Sequence, residues 1–92
     1  MDRITAAQVF VSIVEQGSMV GAAQSLDMSR SMVTRYLSEM ESWAAEQLLH
    51  RSTRKLTLTA AGEKAYVNCR SILDVAKELS TPLEQDQVAQ PQ

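Results

Sequence analysis

The chain has 92 residues, a formal net charge of −2 and 45% hydrophobic residues. That size makes one small domain with at most one protruding element, and that hydrophobic content excludes disorder throughout. The lone cysteine, Cys69, excludes an intramolecular disulfide and a cysteine-rich zinc site. Aromatic residues are few, so the core is expected to be mainly aliphatic, with many Ala and Met. The first residues, Met1-Asp2-Arg3-Ile4-Thr5, lack the basic-then-apolar pattern of a signal peptide, and no apolar run reaches membrane-spanning length. A soluble, cytoplasmic protein without a membrane partner is the expectation.

Residues 5–16 read as a first helix. Thr5 and Gln8 have capping-box spacing, and Phe10, Ile13 and Val14 recur at helical intervals and should face a core. Gly17 supplies the stop. Ser18 is placed to cap a short second helix over 19–26, with Val20, Ala23 and Leu26 on one side. Gly21, Ala22 and Ala23 keep that helix slim, so a neighbour can cross close by. Asp27 and Met28 make the turn, and Ser29 is the expected N-cap of a third helix over 30–44.

The third helix has two unlike faces. Val33, Tyr36, Leu37, Met40 and Ala44 form an apolar stripe; Ser31, Thr34, Arg35 and Ser38 form the opposing one, with Arg30 in the first turn. A short capped helix, a tight turn and a longer capped helix make a helix-turn-helix, whose second helix is shaped for the major groove. Hydroxyls and guanidiniums at i, i+3 and i+4 offer hydrogen bonds to base edges and phosphates. An ordinary solvated face mixes Glu with Lys, whereas this stripe holds no acid.

Residues 48–58 read as a two-stranded hairpin, with Leu56 and Leu58 alternating with Lys55 and Thr57 and with Ser52, Thr53 and Arg54 at the tip. A basic tip beside a recognition helix is a wing, able to reach phosphates or a minor groove; a hairpin of no consequence is the plainer alternative. The charge distribution favours the wing. Residues 29–38 carry Arg30 and Arg35 without an acid, and residues 47–62 carry Arg51, Arg54 and Lys55, again without one. The acids Glu39, Glu41, Glu46, Asp74, Glu78, Glu84 and Asp86 lie elsewhere. Two basic islands on an acidic body suit a directional DNA-binding face.

Thr59 should cap a long fourth helix ending near Ser80, with Pro82 unable to continue it. Ala65, Cys69, Ile72, Ala76 and Leu79 are spaced four, three, four, three, a heptad seam flanked by Tyr66 and Leu73. The first turns should pack on the chain's own core. The rest is too long for so small a domain to cover and is expected to pair with a second copy. The expected division is 1–58 as a winged helix-turn-helix domain, 59–81 as a linker and dimerisation helix, and 82–92 as a hinge or disordered tail.

This arrangement resembles the N-terminal DNA-binding domain of the LysR-type transcriptional regulators of bacteria, over residues 1 to about 80. Six segments carry the resemblance, in the family's order. They are Phe10-Val11-Ser12-Ile13-Val14-Glu15-Gln16-Gly17-Ser18-Met19, Ala22-Ala23-Gln24-Ser25-Leu26, Ser29-Arg30-Ser31-Met32-Val33-Thr34-Arg35, Met40-Glu41, Leu48-Leu49-His50-Arg51 and Leu58-Thr59-Ala60-Ala61-Gly62. The resemblance implies a mainly α winged helix-turn-helix, with a three-helix core and a two-stranded β wing, followed by a long dimerisation helix. It implies a homodimer joined through that linker helix and double-stranded DNA carrying an interrupted palindrome. Ser29, Arg30, Ser31, Thr34, Arg35 and Ser38 would face the DNA, with Arg51, Arg54 and Lys55 around the wing. Ala65, Cys69, Ile72, Leu73, Ala76 and Leu79 would serve dimerisation. A nucleoid-associated, cytoplasmic location follows.

Three departures from the family pattern stand out. Ala44-Ala45 replaces Leu-Gly after the recognition helix, so either a helix that runs on or a less easy cap is expected there, with a different approach to the wing. Arg30 stands where many members carry Gln or Pro, and arginine can pair bidentately with guanine. Family members continue into an effector-binding domain, whereas this chain resembles an excised DNA-binding domain or a stand-alone regulator; a small-molecule effector would act only through the further domain. His50 and Cys69 fall on different elements, and neither a Gly-rich phosphate loop nor metal-ligand spacing occurs. No catalytic residue, metal or cofactor is expected. The rival from another class is a winged-helix module that docks a protein rather than DNA.

Overall fold

A computed structural model describes residues 2–50 and 56–89, with side chains described through residue 79. The order is α1 (Arg3–Gln16), α2 (Met19–Leu26), α3 (Arg30–Ala44), β1 (Leu49–His50), β2 (Thr57–Leu58) and α4 (Ala60–Ala89). The helix α1 is the hub, packing against α2, α3 and α4.

Each junction is explained by a short polar residue or a left-handed one. The first cap differs from expectation. Asp2, not Thr5, caps α1: its carboxylate accepts the amides of Ile4 at 3.3 Å and Thr5 at 3.2 Å, so the helix begins earlier. An aspartate caps more strongly than a threonine, and the Thr5 hydroxyl turns back to donate to Asp2. That hydroxyl, then the amides, hold the Asp2 carboxyl below its ordinary value. Gly17 ends α1 at φ 77°, a region closed to most side chains. Ser18 Oγ accepts the Gly21 amide at 2.8 Å and starts α2. Asp27 ends α2 at φ 53°, with its amide on Gln24 O and that of Met28 on Ala23 O. That pair of bonds is a Schellman closure. Ser29 Oγ then accepts the Met32 amide at 3.2 Å and starts α3.

The absence of glycine after α3 does not prolong the helix. Ala45 adopts φ 57°, with its amide on Ser42 O and the Glu46 amide on Glu41 O. The same closure is made by an alanine, which pays roughly 1–2 kcal/mol for a Cβ in the left-handed region. The strands β1 and β2 pair antiparallel, Leu49 opposite Leu58 and His50 opposite Thr57. Thr59 caps α4, its hydroxyl accepting the Gly62 amide at 2.9 Å.

Phe10, Ile13, Leu37, Leu48, Val9 and Val33 are fully buried, so the core is aliphatic around one aromatic ring. Ala22 and Ala23 are buried and let α2 approach closely. Val20, on the apolar side read for α2, is exposed, and so is Ala44, the last residue of the apolar stripe of α3. The fourth helix also continues to Ala89 rather than stopping near Ser80, although Pro82 lies within it. A proline removes one helical hydrogen bond and crowds the preceding turn; it raises the cost of a helix without forbidding it.

Candidate nucleic-acid interface

The register of α3 sorts its residues onto two sides. Val33 and Leu37 are buried, and Tyr36 and Met40 half-buried, against the core. Turned away from them, Arg30, Ser31, Thr34, Arg35 and Ser38 are all exposed. Ser29 is exposed too, and its hydroxyl both caps the helix and lies 3.2 Å from that of Ser31. Neither Arg30 nor Arg35 has a carboxylate partner among the described residues; the ion pair described there joins Arg70 to Glu15. From Arg30 to Ser38 the helix rises about 12 Å, close to the width of a B-DNA major groove.

The hairpin that follows α3 is described at its base. His50 is exposed on β1 opposite Thr57. Arg51, Arg54 and Lys55, with Ser52 and Thr53, lie outside the described residues. Leu48, from which the hairpin leaves, is buried, and its amide donates to Glu41 Oε2 of α3 at 2.9 Å. On the α4 side the Thr59 amide donates to Leu48 O at 3.1 Å and the Thr59 hydroxyl to Gln47 O at 2.7 Å.

The expected seam of α4 divides. Cys69 is 4% exposed and belongs to the chain's own core, with Ala65, Tyr66 and Leu73 packed against that core. Of the two roles the sequence offers Cys69, a seam residue and a small core residue, its burial agrees with the second. Burial pushes the Cys69 thiol above its ordinary pKa. Tyr66 and Arg70 both donate to Glu15 Oε2, at 3.1 and 2.8 Å, tying α4 to the end of α1. Desolvation, then that carboxylate, raises the pKa of the Tyr66 hydroxyl.

Further out, Ile72 and Leu79 are 44% and 71% exposed, and with Ala76 they line an apolar groove. Val75, Ile4 and Ser71 also line it, and the heptad reading missed all three. Val75 was legible as i+3 of Ile72, since 72, 75, 76 and 79 form an i, i+3, i+4, i+7 stripe. Ile4 comes from α1, and local spacing gives no sign of it. Arg3 stacks over the Trp43 ring at 4.6 Å and joins the start of α1 to the end of α3. Among the described residues there is no group of three His, Cys, Asp or Glu able to hold a metal, and no helix long and apolar enough to cross a membrane.

A sequence profile of the bacterial regulatory helix-turn-helix proteins of the lysR family matches residues 4–63. The chain belongs to this family. Among LysR-family relatives it is 38% identical over 77 residues to an HTH-type transcriptional regulator of Xanthomonas campestris pv. campestris. It is 37% identical over 83 residues to the HTH-type transcriptional activator AaeR of Escherichia coli K12. These alignments cover 84% and 90% of the chain but only 22% and 27% of the relatives' own lengths. The DNA-binding domain of CbnR, solved in complex with DNA, superposes with a TM-score of 0.83 at 30% identity, covering 95% of this chain and 99% of that one. The BenM DNA-binding domain on a catB site agrees in fold, with a TM-score of 0.85 at 23% identity. The LysR-family match ends at residue 63, in the first turn of α4, so it takes in the helix pair and the hairpin and leaves the outer groove beyond it.

Proposed function

We propose that this chain is the sequence-specific DNA-binding part of a dimeric LysR-type transcriptional regulator. The observation that carries the reading is the exposed, carboxylate-free stripe of Arg30, Ser31, Thr34, Arg35 and Ser38 on a helix presented by a well-capped turn. In this reading α3 enters the major groove. Arg30 and Arg35 contact guanine edges or phosphates, Ser31, Thr34 and Ser38 hydrogen-bond bases and backbone, and the N-terminus of α3 at Ser29 faces a phosphate. Arg51, Arg54 and Lys55 hold the flanking backbone from the wing.

Residues 1–58 form the DNA-reading unit and the helix from residue 59 the linker. A second copy covers the apolar face of Ile72, Ala76 and Leu79, extended by Val75 and Ile4. Cys69, Ala65 and Leu73 support that helix from inside. Two recognition helices joined this way reach half-sites of an interrupted palindrome spaced by a multiple of one DNA turn, roughly 34 Å. Such a regulator works on chromosomal DNA in the cytoplasm. An effector would act through a domain of the kind found in the longer relatives, which this chain covers only in part.

The test is a binding titration on a duplex recovered from a random DNA pool, repeated at two salt concentrations. Steep salt dependence with preference for the selected duplex is expected; binding without either overturns the reading in favour of a protein-docking module. Arg35→Ala should weaken binding to the selected duplex by about 1–3 kcal/mol. An unchanged affinity removes Arg35 from the reading face.

A further inference from the structure

The described part of the hairpin is its base, with Leu49 opposite Leu58 and His50 opposite Thr57. Two helices grip that base. From α4, the Thr59 amide and hydroxyl bind the carbonyls of Leu48 and Gln47, and the Gly62 amide holds that hydroxyl in turn. From α3 the described grip is one side chain: Glu41 Oε2 accepts the Leu48 amide at 2.9 Å. A carboxylate accepting a partly buried amide makes a stronger bond than a neutral acceptor does.

Glu41 stands on α3 one turn beyond Ser38, on the half-buried side rather than on the exposed stripe. It is an acid close to a surface that otherwise excludes acids, and the hydrogen bond gives it a reason to be there. We propose that Glu41 is a positioning residue for DNA binding. Its carboxylate fixes the hairpin to the recognition helix at the angle that lets the basic wing and the α3 stripe meet one duplex together. This inference rests on the DNA-binding reading above. Two contact elements rigidly joined bind as one; loosening the joint lowers the effective concentration of the second at its site. The wing would then lose its phosphates, while α3 kept its bases.

The experiment follows binding of the selected duplex by fluorescence anisotropy between about 50 and 200 mM salt, for the wild type, Glu41→Ala and Glu41→Gln, with circular dichroism confirming the fold of each. Glu41→Ala should bind about tenfold more weakly, with a slope of log K against log salt shallower by about two, the loss of two phosphate contacts. Its preference for the selected over a random duplex should persist. Glu41→Gln keeps an acceptor for the Leu48 amide and should recover at least half of the lost slope. A wild-type slope in Glu41→Ala, or no recovery in Glu41→Gln, overturns the proposal. Amide exchange on the wild type decides it even if Glu41→Ala does not fold: Leu48 should be protected like the core of α3, and exchange at an open-loop rate overturns the proposal as well. A wild type that binds no duplex sinks the DNA reading and this inference together. A wild type that binds with steep salt dependence, beside a Glu41→Ala variant of equal slope, sinks this inference alone.

Discussion

The apolar residues of α4 share a helical spacing and have opposite fates in its inner and outer parts. In the inner half, Ala65, Tyr66, Cys69 and Leu73 pack against the core, and Glu15 receives both Tyr66 and Arg70. In the outer half, Ile72, Val75 and Leu79 remain exposed. The cause is the length of α1. Glu15 meets α4 at Tyr66 and Arg70, whereas Ile4 lies beside Ile72 to Leu79, so the two helices run antiparallel, and α1 begins at Arg3. Beyond that point the described chain has nothing left to lay on α4. An apolar stripe can thus be continuous in sequence and still be divided in structure, by where its neighbour ends.

The comparison breaks most severely at Gly62. A Cβ placed there would stand 1.9 Å from the Leu48 carbonyl oxygen, a backbone atom already bound by the Thr59 amide. Gly62→Ala must push α4 away from the base of the hairpin, and it should destabilise the domain by about 3 kcal/mol or more. Urea unfolding checks this, and a midpoint equal to that of the wild type would mean that α4 can shift freely on the core. The outer half should respond in the opposite manner. Leu79→Glu places a charge on a surface left bare in the single chain, so the stability of the monomer should move by no more than about 0.5 kcal/mol. If a second copy covers that surface, sedimentation velocity should nevertheless show the dimer converted to monomer. A dimer that survives Leu79→Glu would put the pairing surface elsewhere.

Much of this was legible in the sequence because it depends on short-range chemistry. Ser18, Ser29 and Thr59 cap the helices they were expected to cap, and the alternation of apolar and hydroxyl residues along α3 predicted which side is buried. The readings that failed depend on groups outside the pattern that was read. Thr5 fits a capping box, but Asp2 competes for the same amides and is the better acceptor. Val20 and Ala44 fit apolar stripes but are exposed. Glu41 shows the same limit at the interface: its charge was visible, but its hydrogen bond to an amide seven residues on was not.

The two ends of the long caps offer the smallest and cleanest comparison. α1 stops at Gly17 with φ 77°, and α3 stops at Ala45 with φ 57°. The backbone solution is similar, and the residue supplying it differs by one methyl group. At Gly17 a left-handed φ costs nothing sterically, whereas at Ala45 the Cβ crowds the following carbonyl. Ala45→Gly removes that crowding but adds freedom to the unfolded chain, and the two effects oppose each other. The steric relief is roughly 1–2 kcal/mol and the entropic cost roughly 0.5–1 kcal/mol, so the variant should gain about 0.5–1 kcal/mol. Thermal unfolding measures the balance. A variant less stable than the wild type would mean that Ala45 makes a contact outweighing its strain, and that the alanine is there for packing rather than tolerated in spite of its conformation.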